Sequence, residues 1–457
     1  MADGLIALIV LGTRDELLLF AATGFALGGL DDLLVDLIWL VRRGWRRVFV
    51  YSRFPRASAD TLPPPRHDGT VAVFVPAWRE HEVIGDMLRN ALASWAEQKA
   101  VIYVGCYPND AETAAAVVSL GDARVRLVQC VRHGPTTKAD CLNAIYAAMS
   151  ADEAEWGHRY KAVLLHDAED MVHPDELTVC NTLIERFALI QLPVLPFQTA
   201  GSPWISGHYL DEFAEAHSRD MVVREAIGAS LPSAGVGCAI RRMALATIAH
   251  DRDGRPFSDD SLTEDYELGL RLGDLGASAA FVRIREKGGQ GLVATRAHFP
   301  DTLRAAVRQK ARWTIGIALA GWDRMGWHGN WLESWMRLRD RRAPFAAMLL
   351  LAGYAALVLT ALLWAMGTGL HAPGPALGAL LLLNAALLLW RLIIRGLCVW
   401  RHYGWRQGLL SLPRMVISNI IAMMAARKAV FGYVQMLRDG HVRWDKTEHR
   451  SPLDGAK

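Results

Sequence analysis

The chain has 457 residues, of which 52% are hydrophobic and 21% charged, and its mean hydropathy is +0.15. That is oily for a soluble protein, and a net charge of +3 gives no basis for a nucleic-acid partner. Six scattered cysteines without a C-x-x-C pair imply neither a zinc site nor a disulfide framework, which suits a reduced, cytosol-facing catalytic domain.

Residues 1–47 form the first membrane segment. Within it, 17–41 is long enough to span, although Asp31, Asp32 and Asp36 interrupt it. Buried carboxylates there must face protein, water or a cation, or else part of the segment lies at the interface. A basic n-region is missing, so the stretch is a poor signal peptide. A linker, 48–69, follows.

From 70 the pattern alternates. VAVFVPA (71–77), VIYVGCYP (101–108), VRLVQCV (125–131) and KAVLLH (161–166) read as buried strands separated by amphipathic helices. Such runs predict a mostly parallel sheet covered on both faces. Ligands bind such sheets beyond the carboxyl ends of the strands. At those ends stand Glu80, Asp110, Lys138 and the cluster Asp167-Ala168-Glu169-Asp170. Neither G-x-G-x-x-G nor a P-loop follows the first strand.

Two carboxylates two residues apart at a strand end can chelate a hard divalent cation. Mg²⁺ is commonly held by one or two carboxylates plus substrate phosphates. Asp167 and Glu169 therefore suit a nucleoside diphosphate carried by Mg²⁺ or Mn²⁺. The alternative is a capped turn before the helix near Pro174. Asp110 likewise fits either a nucleotide contact or an N-cap, and Lys138 either a nucleotide contact or a solvated lysine.

Further along, GVGCAIRR (235–242) is glycine-rich. SLTEDYELGLRL (261–272) carries Glu264 and Asp265, with Ser261 and Glu264 spaced as a capping box. RQKARW (308–313) puts Gln309, Arg312 and Trp313 on one helical face. Trp313 fits either an acceptor platform or a membrane-interface anchor.

The segment 321–343 holds Trp322, Trp327, Trp331 and Trp335, a composition suited to the headgroup layer. Residues 344–400 carry two spans, 345–367 and 376–400, joined by TGLHAPGP. Residues 401–457 read as an interfacial amphipathic helix and a tail, because 412–437 contains Arg414, Arg427 and Lys428. Basic runs at 42–47, 337–342 and 401–406 mark the cytoplasmic side. Three crossings then place the N-terminus outside and 42–344 inside.

Taken together and in order, Asp110, the Asp167-x-Glu169 pair, Thr263-Glu264-Asp265 and Gln309-x-x-Arg312-Trp313 resemble the family 2 glycosyltransferases. The similarity is to the membrane-integrated branch that includes cellulose and hyaluronan synthases, and it covers roughly 70–315. It implies a GT-A-type, Rossmann-like α/β domain (70–320) flanked by transmembrane and interfacial helices. By this resemblance Asp265 is the catalytic base of an inverting displacement. Glu80, Asp110, Lys138, Asp167 and Arg312 contact the donor nucleotide. Glu264, Gln309 and Trp313 contact the acceptor, and Asp167 and Glu169 hold Mg²⁺ or Mn²⁺. The family usually has D-x-D, so Glu169 is a departure and Asp170 a rival ligand. The reading chosen is Glu169, with Asp170 outward or behind it.

The implied partners are a nucleoside diphosphate-sugar, a glycan or lipid-linked acceptor, membrane lipids and an outer-envelope export partner. The implied location is a bacterial inner membrane, with several crossings and a cytoplasmic catalytic domain. The implied product is a surface polysaccharide. The competing functions are a polyprenyl-phosphate monosaccharide transferase, a non-catalytic envelope scaffold and a cation transporter using the three aspartates.

Overall fold

The computed structural model describes residues 2–199, 201–367 and 373–439. Most of the predicted TGLHAPGP loop and the tail beyond 439 lie outside the described residues.

The four strands read from the sequence form, at nearly the expected bounds. β1 is Val71–Pro76, β2 Ala100–Cys106, β3 Val125–Gln129 and β4 Ala162–Leu165. Three short strands complete the sheet: β5 (Leu189–Gln191), β6 (Cys238–Arg241) and β7 (Ala279–Phe281). The order is β3-β2-β1-β4-β6-β5-β7, parallel except that β6 runs antiparallel to both of its neighbours. Every residue of β1 is buried, with an apolar cluster on each face of the sheet. This double coverage explains why the central strands lack alternation.

The reversal of β6 positions the site. Its first residue, Cys238, pairs with the last residue of β4, Leu165. The chain entering β6, Gly235-Val236-Gly237, therefore arrives at the edge where β4 delivers Asp167. The Gly237 N–H donates to the Leu165 carbonyl at 3.0 Å and fixes that approach.

Among the described residues, four helices are long and apolar enough to cross a membrane: Leu8–Val50, Ala343–Ala365, Pro375–Tyr403 and Trp405–Asp439. Leu351, Leu357 and Leu382 lie exposed on them, as lipid-facing side chains would. The first helix, Ala2–Trp45, has 44 residues; at 1.5 Å per residue it is about 66 Å long, twice a hydrocarbon core. The excess length carries the three aspartates, and all three face protein. Asp36 is fully buried, 2.8 Å from Arg219 and bonded by the Trp390 indole. Asp32 pairs with Arg342 at 2.7 Å and Arg339 at 3.0 Å. Asp31 pairs with the same two arginines and accepts from the Trp335 indole at 2.6 Å. These carboxylates tie the first helix to the domain, a role that leaves them unavailable to a transported cation.

The last helix, Trp405–Asp439, lies along the α/β domain for most of its length. Gln407 meets Gln198 at 2.9 Å, Arg414 meets Asp211 at 2.7 Å, Ile421 packs with Tyr209, and Tyr433 bonds Asp323. Its composition would allow a crossing, but one face is committed to the domain from end to end.

Candidate active site

Eight of the ten residues singled out from the sequence share one pocket at the carboxyl edge of the sheet: Lys138, Asp167, Glu169, Glu264, Asp265, Gln309, Arg312 and Trp313. Four local devices deliver them.

Lys138 opens the helix Lys138–Trp156, which Thr137 caps by accepting the Asp140 N–H. Its ammonium lies 2.5 Å from Asp167 Oδ1 and 4.0 Å from Glu264 Oε1. Burial works against that charge. The carboxylates of Asp167, Glu264 and Asp265 outweigh it and hold the lysine well above its usual range.

The turn after β4 is held from below. His166, fully buried, lies 2.8 Å from Asp170 Oδ2 and 3.1 Å from Glu176 Oε1. Burial disfavours its charged form, but Glu176 and Asp170 overcome this and raise it to about 10. Asp170 also accepts the Asp167 N–H at 3.0 Å. Asp170 is 1% exposed. It therefore turns inward rather than outward and braces the backbone that presents Asp167 and Glu169.

Asp265 lies in the first turn of Glu264–Asp274. The sequence suggests a capping box there, and the structure has none. Ser261 receives the Thr263 N–H at 3.1 Å and donates to Glu267 at 2.6 Å instead. Burial raises Asp265 above the ordinary aspartate value, with Lys138 opposing the shift. Burial and the Asp265 charge push Glu264 up to about 7. Opposite stands Gly235, at φ +77°. A Cβ there would be 3.2 Å from Asp265 Cγ and nearer still to Oδ2. Only glycine gives the chain this course and this clearance.

Gln309, Arg312 and Trp313 lie on Leu303–Thr314, capped by Thr302. A π-helical turn, Ile315–Leu319, follows immediately. It sets Gly316 against Thr263, where a Cβ would lie 2.5 Å from Oγ1. The two motifs are thus packed directly on each other. Gln309 Oε1, Arg312 Nε and Thr263 Oγ1 are buried without a hydrogen-bond partner. Unmet polar atoms converging on a pocket are what a polar substrate would satisfy.

Glu80 and Asp110 stand beside the pocket and do not line it. Asp110 caps Ala111–Val118 and accepts the Arg79 N–H at 2.5 Å, pinning Arg79 at φ +57°. The Glu80 N–H donates to Thr113. Phe213 and Phe299, which no sequence motif singles out, line the pocket together with Trp313. Neither stands in a motif, so periodicity offered no signal. Arg241 and Arg242 after the glycines are structural: Arg241 bonds the carbonyls of Ile184 and Phe187, and Arg242 pairs with Glu153 at 2.7 Å.

No group of three or more His, Cys, Asp or Glu arranged for a metal occurs among the described residues. Asp167 and Glu169, both on the pocket wall, form a two-carboxylate donor set. That suits Mg²⁺ or Mn²⁺ only with phosphates and water completing the sphere.

Residues 65–316 match the family described as glycosyltransferase like family 2. The chain is 37% identical over 452 aligned residues to bacteriophage adsorption protein B of Escherichia coli (strain K12), covering 93% of this chain and 60% of that protein. The bacteriophage N4 adsorption protein B of Escherichia coli O157:H7 matches equally. The chain thus spans about three fifths of the length of these relatives. Among solved structures, a mannosyltransferase from Pyrobaculum calidifontis in complex with GDP-Man and Mn²⁺ aligns at a TM-score of 0.50 with 15% identity, covering 90% of this chain and 99% of that one. At that identity the likeness concerns the fold, which it shares. The mostly parallel sheet, the single pocket uniting the spaced motifs and the match over more than half the chain make this protein a member of the family 2 glycosyltransferases.

Proposed function

We propose that the chain is a membrane-integrated, metal-dependent, inverting glycosyltransferase. It would move a sugar from a nucleoside diphosphate donor to a hydroxyl of a growing surface polysaccharide. One observation carries this reading: a half-buried carboxylate with a raised pKa, Asp265, shares a pocket with the Asp167–Glu169 pair and with Arg312.

Asp265 takes the proton as the acceptor oxygen bonds to the anomeric carbon and the carbon–phosphate oxygen bond breaks. A single base and a single displacement invert the anomeric centre. A cation held by Asp167 and Glu169 would neutralise charge on the departing diphosphate. Lys138 and Arg312 supply fixed positive charge on the same side. Trp313, packed edge-on against Tyr209 at 6.3 Å, offers a flat wall to the acceptor with Phe213 and Phe299. Asp110, which accepts the Arg79 N–H, remains with Glu80 a proposed donor contact at the ends of the strands.

The long apolar helices and the basic runs beside them support an inner-membrane protein with its catalytic domain in the cytoplasm. The adsorption proteins it resembles suit a glycan that reaches the cell surface. With one apolar helix committed to the domain, few helices remain to line an export path, so export calls for a second copy or an envelope partner. Secretion of polymer into proteoliposomes by a purified monomer would refute that requirement.

The test of the activity is a screen of nucleotide sugars for diphosphate release with Mg²⁺ or Mn²⁺, comparing the wild type with Asp265→Asn. Release that depends on donor, cation and Asp265 is expected. Equal release by both proteins for every donor would sink the proposal.

A further inference from the structure

The seam between the domain and the apolar helices is rich in arginine, and most of these arginines are matched. Arg219 meets Asp36 at 2.8 Å, Arg342 meets Asp32 at 2.7 Å, and Arg395 meets Glu215 at 3.0 Å. One group is different. Arg43 ends the first helix, Arg401 ends Pro375–Tyr403, Arg56 lies in the linker, and Arg283 follows β7. None of these four forms an ion pair among the described residues.

They are nevertheless close enough to act on each other. Arg43 and Arg401 bear on Arg283, and Arg43 and Arg56 bear on Arg401, with no carboxylate among the stronger influences on either. Ser218 links Arg283 to the helix that ends beside Arg401. Its carbonyl accepts from Arg283 Nη1 at 3.4 Å, and its hydroxyl lies 2.7 Å from Nε2 of His402, the neighbour of Arg401. Arg283 Nε is buried with no partner. Burial first, and then the Arg401 and Arg43 charges, pull Arg283 down to about 10. A cluster of like charges that the protein leaves unneutralised is a place for an anion.

The surroundings indicate which anion. Arg43 and Arg401 stand where two apolar helices leave their hydrophobic stretches. Trp45, Phe49, Trp400 and Trp405 lie exposed at these helix ends, as in an interfacial belt. We propose that Arg43, Arg56, Arg283 and Arg401 form a binding site for the phosphate of an anionic lipid headgroup in the cytoplasmic leaflet. The site is separate from the donor pocket and joins two membrane helices to the edge of the catalytic sheet. A bound headgroup would brace the domain against the bilayer at the end of the sheet opposite β3.

This inference rests on the membrane reading above. The test reconstitutes the full chain in phosphatidylcholine nanodiscs with phosphatidylglycerol as the minor component, and measures by native mass spectrometry the lipid retained by the protein. The wild type should retain phosphatidylglycerol over phosphatidylcholine. Arg283→Gln/Arg401→Gln should lose that preference on the order of tenfold. Arg43→Gln/Arg56→Gln, at two exposed side chains, should lose it similarly without a change in melting temperature. Arg427→Gln/Lys428→Gln, a basic pair elsewhere, should keep it. Undiminished preference in both arginine pairs would overturn the site. A wild type that binds inorganic phosphate but shows no lipid preference would overturn the headgroup assignment. A wild type that never enters nanodiscs would overturn this inference and the membrane reading together, and leave diphosphate release to stand or fall separately.

Discussion

Gly235 and Asp265 face each other with no room for a methyl group between them. One comes from the loop entering an antiparallel strand and the other from the first turn of a helix, 30 residues apart in sequence. Gly235→Ala should therefore act on chemistry through Asp265. The left-handed backbone costs about 1 kcal/mol, and displacement of the carboxylate should lower kcat on the order of a hundredfold. Asp265→Asn should lower it by roughly 10²–10⁴. Steady-state kinetics, with a thermal melt of each variant, checks both. A fully active Gly235→Ala would show that this contact does not position the base.

The pH profile follows from the raised pKa of Asp265. A base works only when deprotonated, so kcat/KM should fall on the acid side at a pH above the ordinary aspartate value of about 3.9. Burial raises the group and Lys138 opposes the shift. Lys138→Met removes the opposing charge, and the acid limb should move to higher pH. A limb that moves downward would contradict the electrostatic account.

Removing His166 should destabilise the fold, because Asp170 and Glu176 would be left buried and unpaired. The expected loss for His166→Asn is about 3–5 kcal/mol. The sign of its pH dependence is fixed by a folded pKa raised from 6.5 to about 10. The imidazolium's contribution is fully present below about pH 6.5 and is lost as pH rises through 10. Chemical denaturation of both proteins at pH 6 and pH 10.5 should show a large difference at the first and a smaller one at the second.

Glu169 and Asp170 should separate cleanly. Glu169→Ala should abolish metal-dependent transfer and leave stability near that of the wild type. Asp170→Ala should lose stability and, with it, the bracing of Asp167. Calorimetric titration with Mn²⁺, alongside melts, distinguishes the two. Full Mn²⁺-dependent activity in Glu169→Ala would remove Glu169 from the cation site.

Asp36 and Arg219 are both almost fully buried and pair at 2.8 Å. Asp36→Leu alone leaves a buried guanidinium and should cost about 3–5 kcal/mol. Asp36→Leu/Arg219→Met should recover most of that loss, as measured by thermal melts in detergent. If the double variant is no more stable than the single one, the pair is not the source of the effect.

The four parallel strands are legible in the amino-acid order, because segments buried on both faces must be continuously apolar and the helices between them amphipathic. It determined the apolar helices for the same reason, since a long uncharged run has few alternatives in water. It also grouped Lys138, Asp167, Glu169, Asp265 and Arg312, through spaced motifs that resemble a family, and these residues line one pocket. What depends on long-range approach is set by the fold. The antiparallel β6 brings Gly235 to Asp265, and no local pattern records that reversal. Asp170 turns inward because His166 and Glu176 wait beneath it, whereas the spacing of the acids alone left it a rival to Glu169. Asp31, Asp32 and Asp36 look costly in a membrane helix until Arg339, Arg342 and Arg219 arrive from residues about 180 to 310 positions away. The last helix is apolar enough to cross, yet contacts spread from Gln407 to Tyr433 lay it along the domain. Composition fixes what a segment can bury, and the partner that buries it is fixed only by the fold.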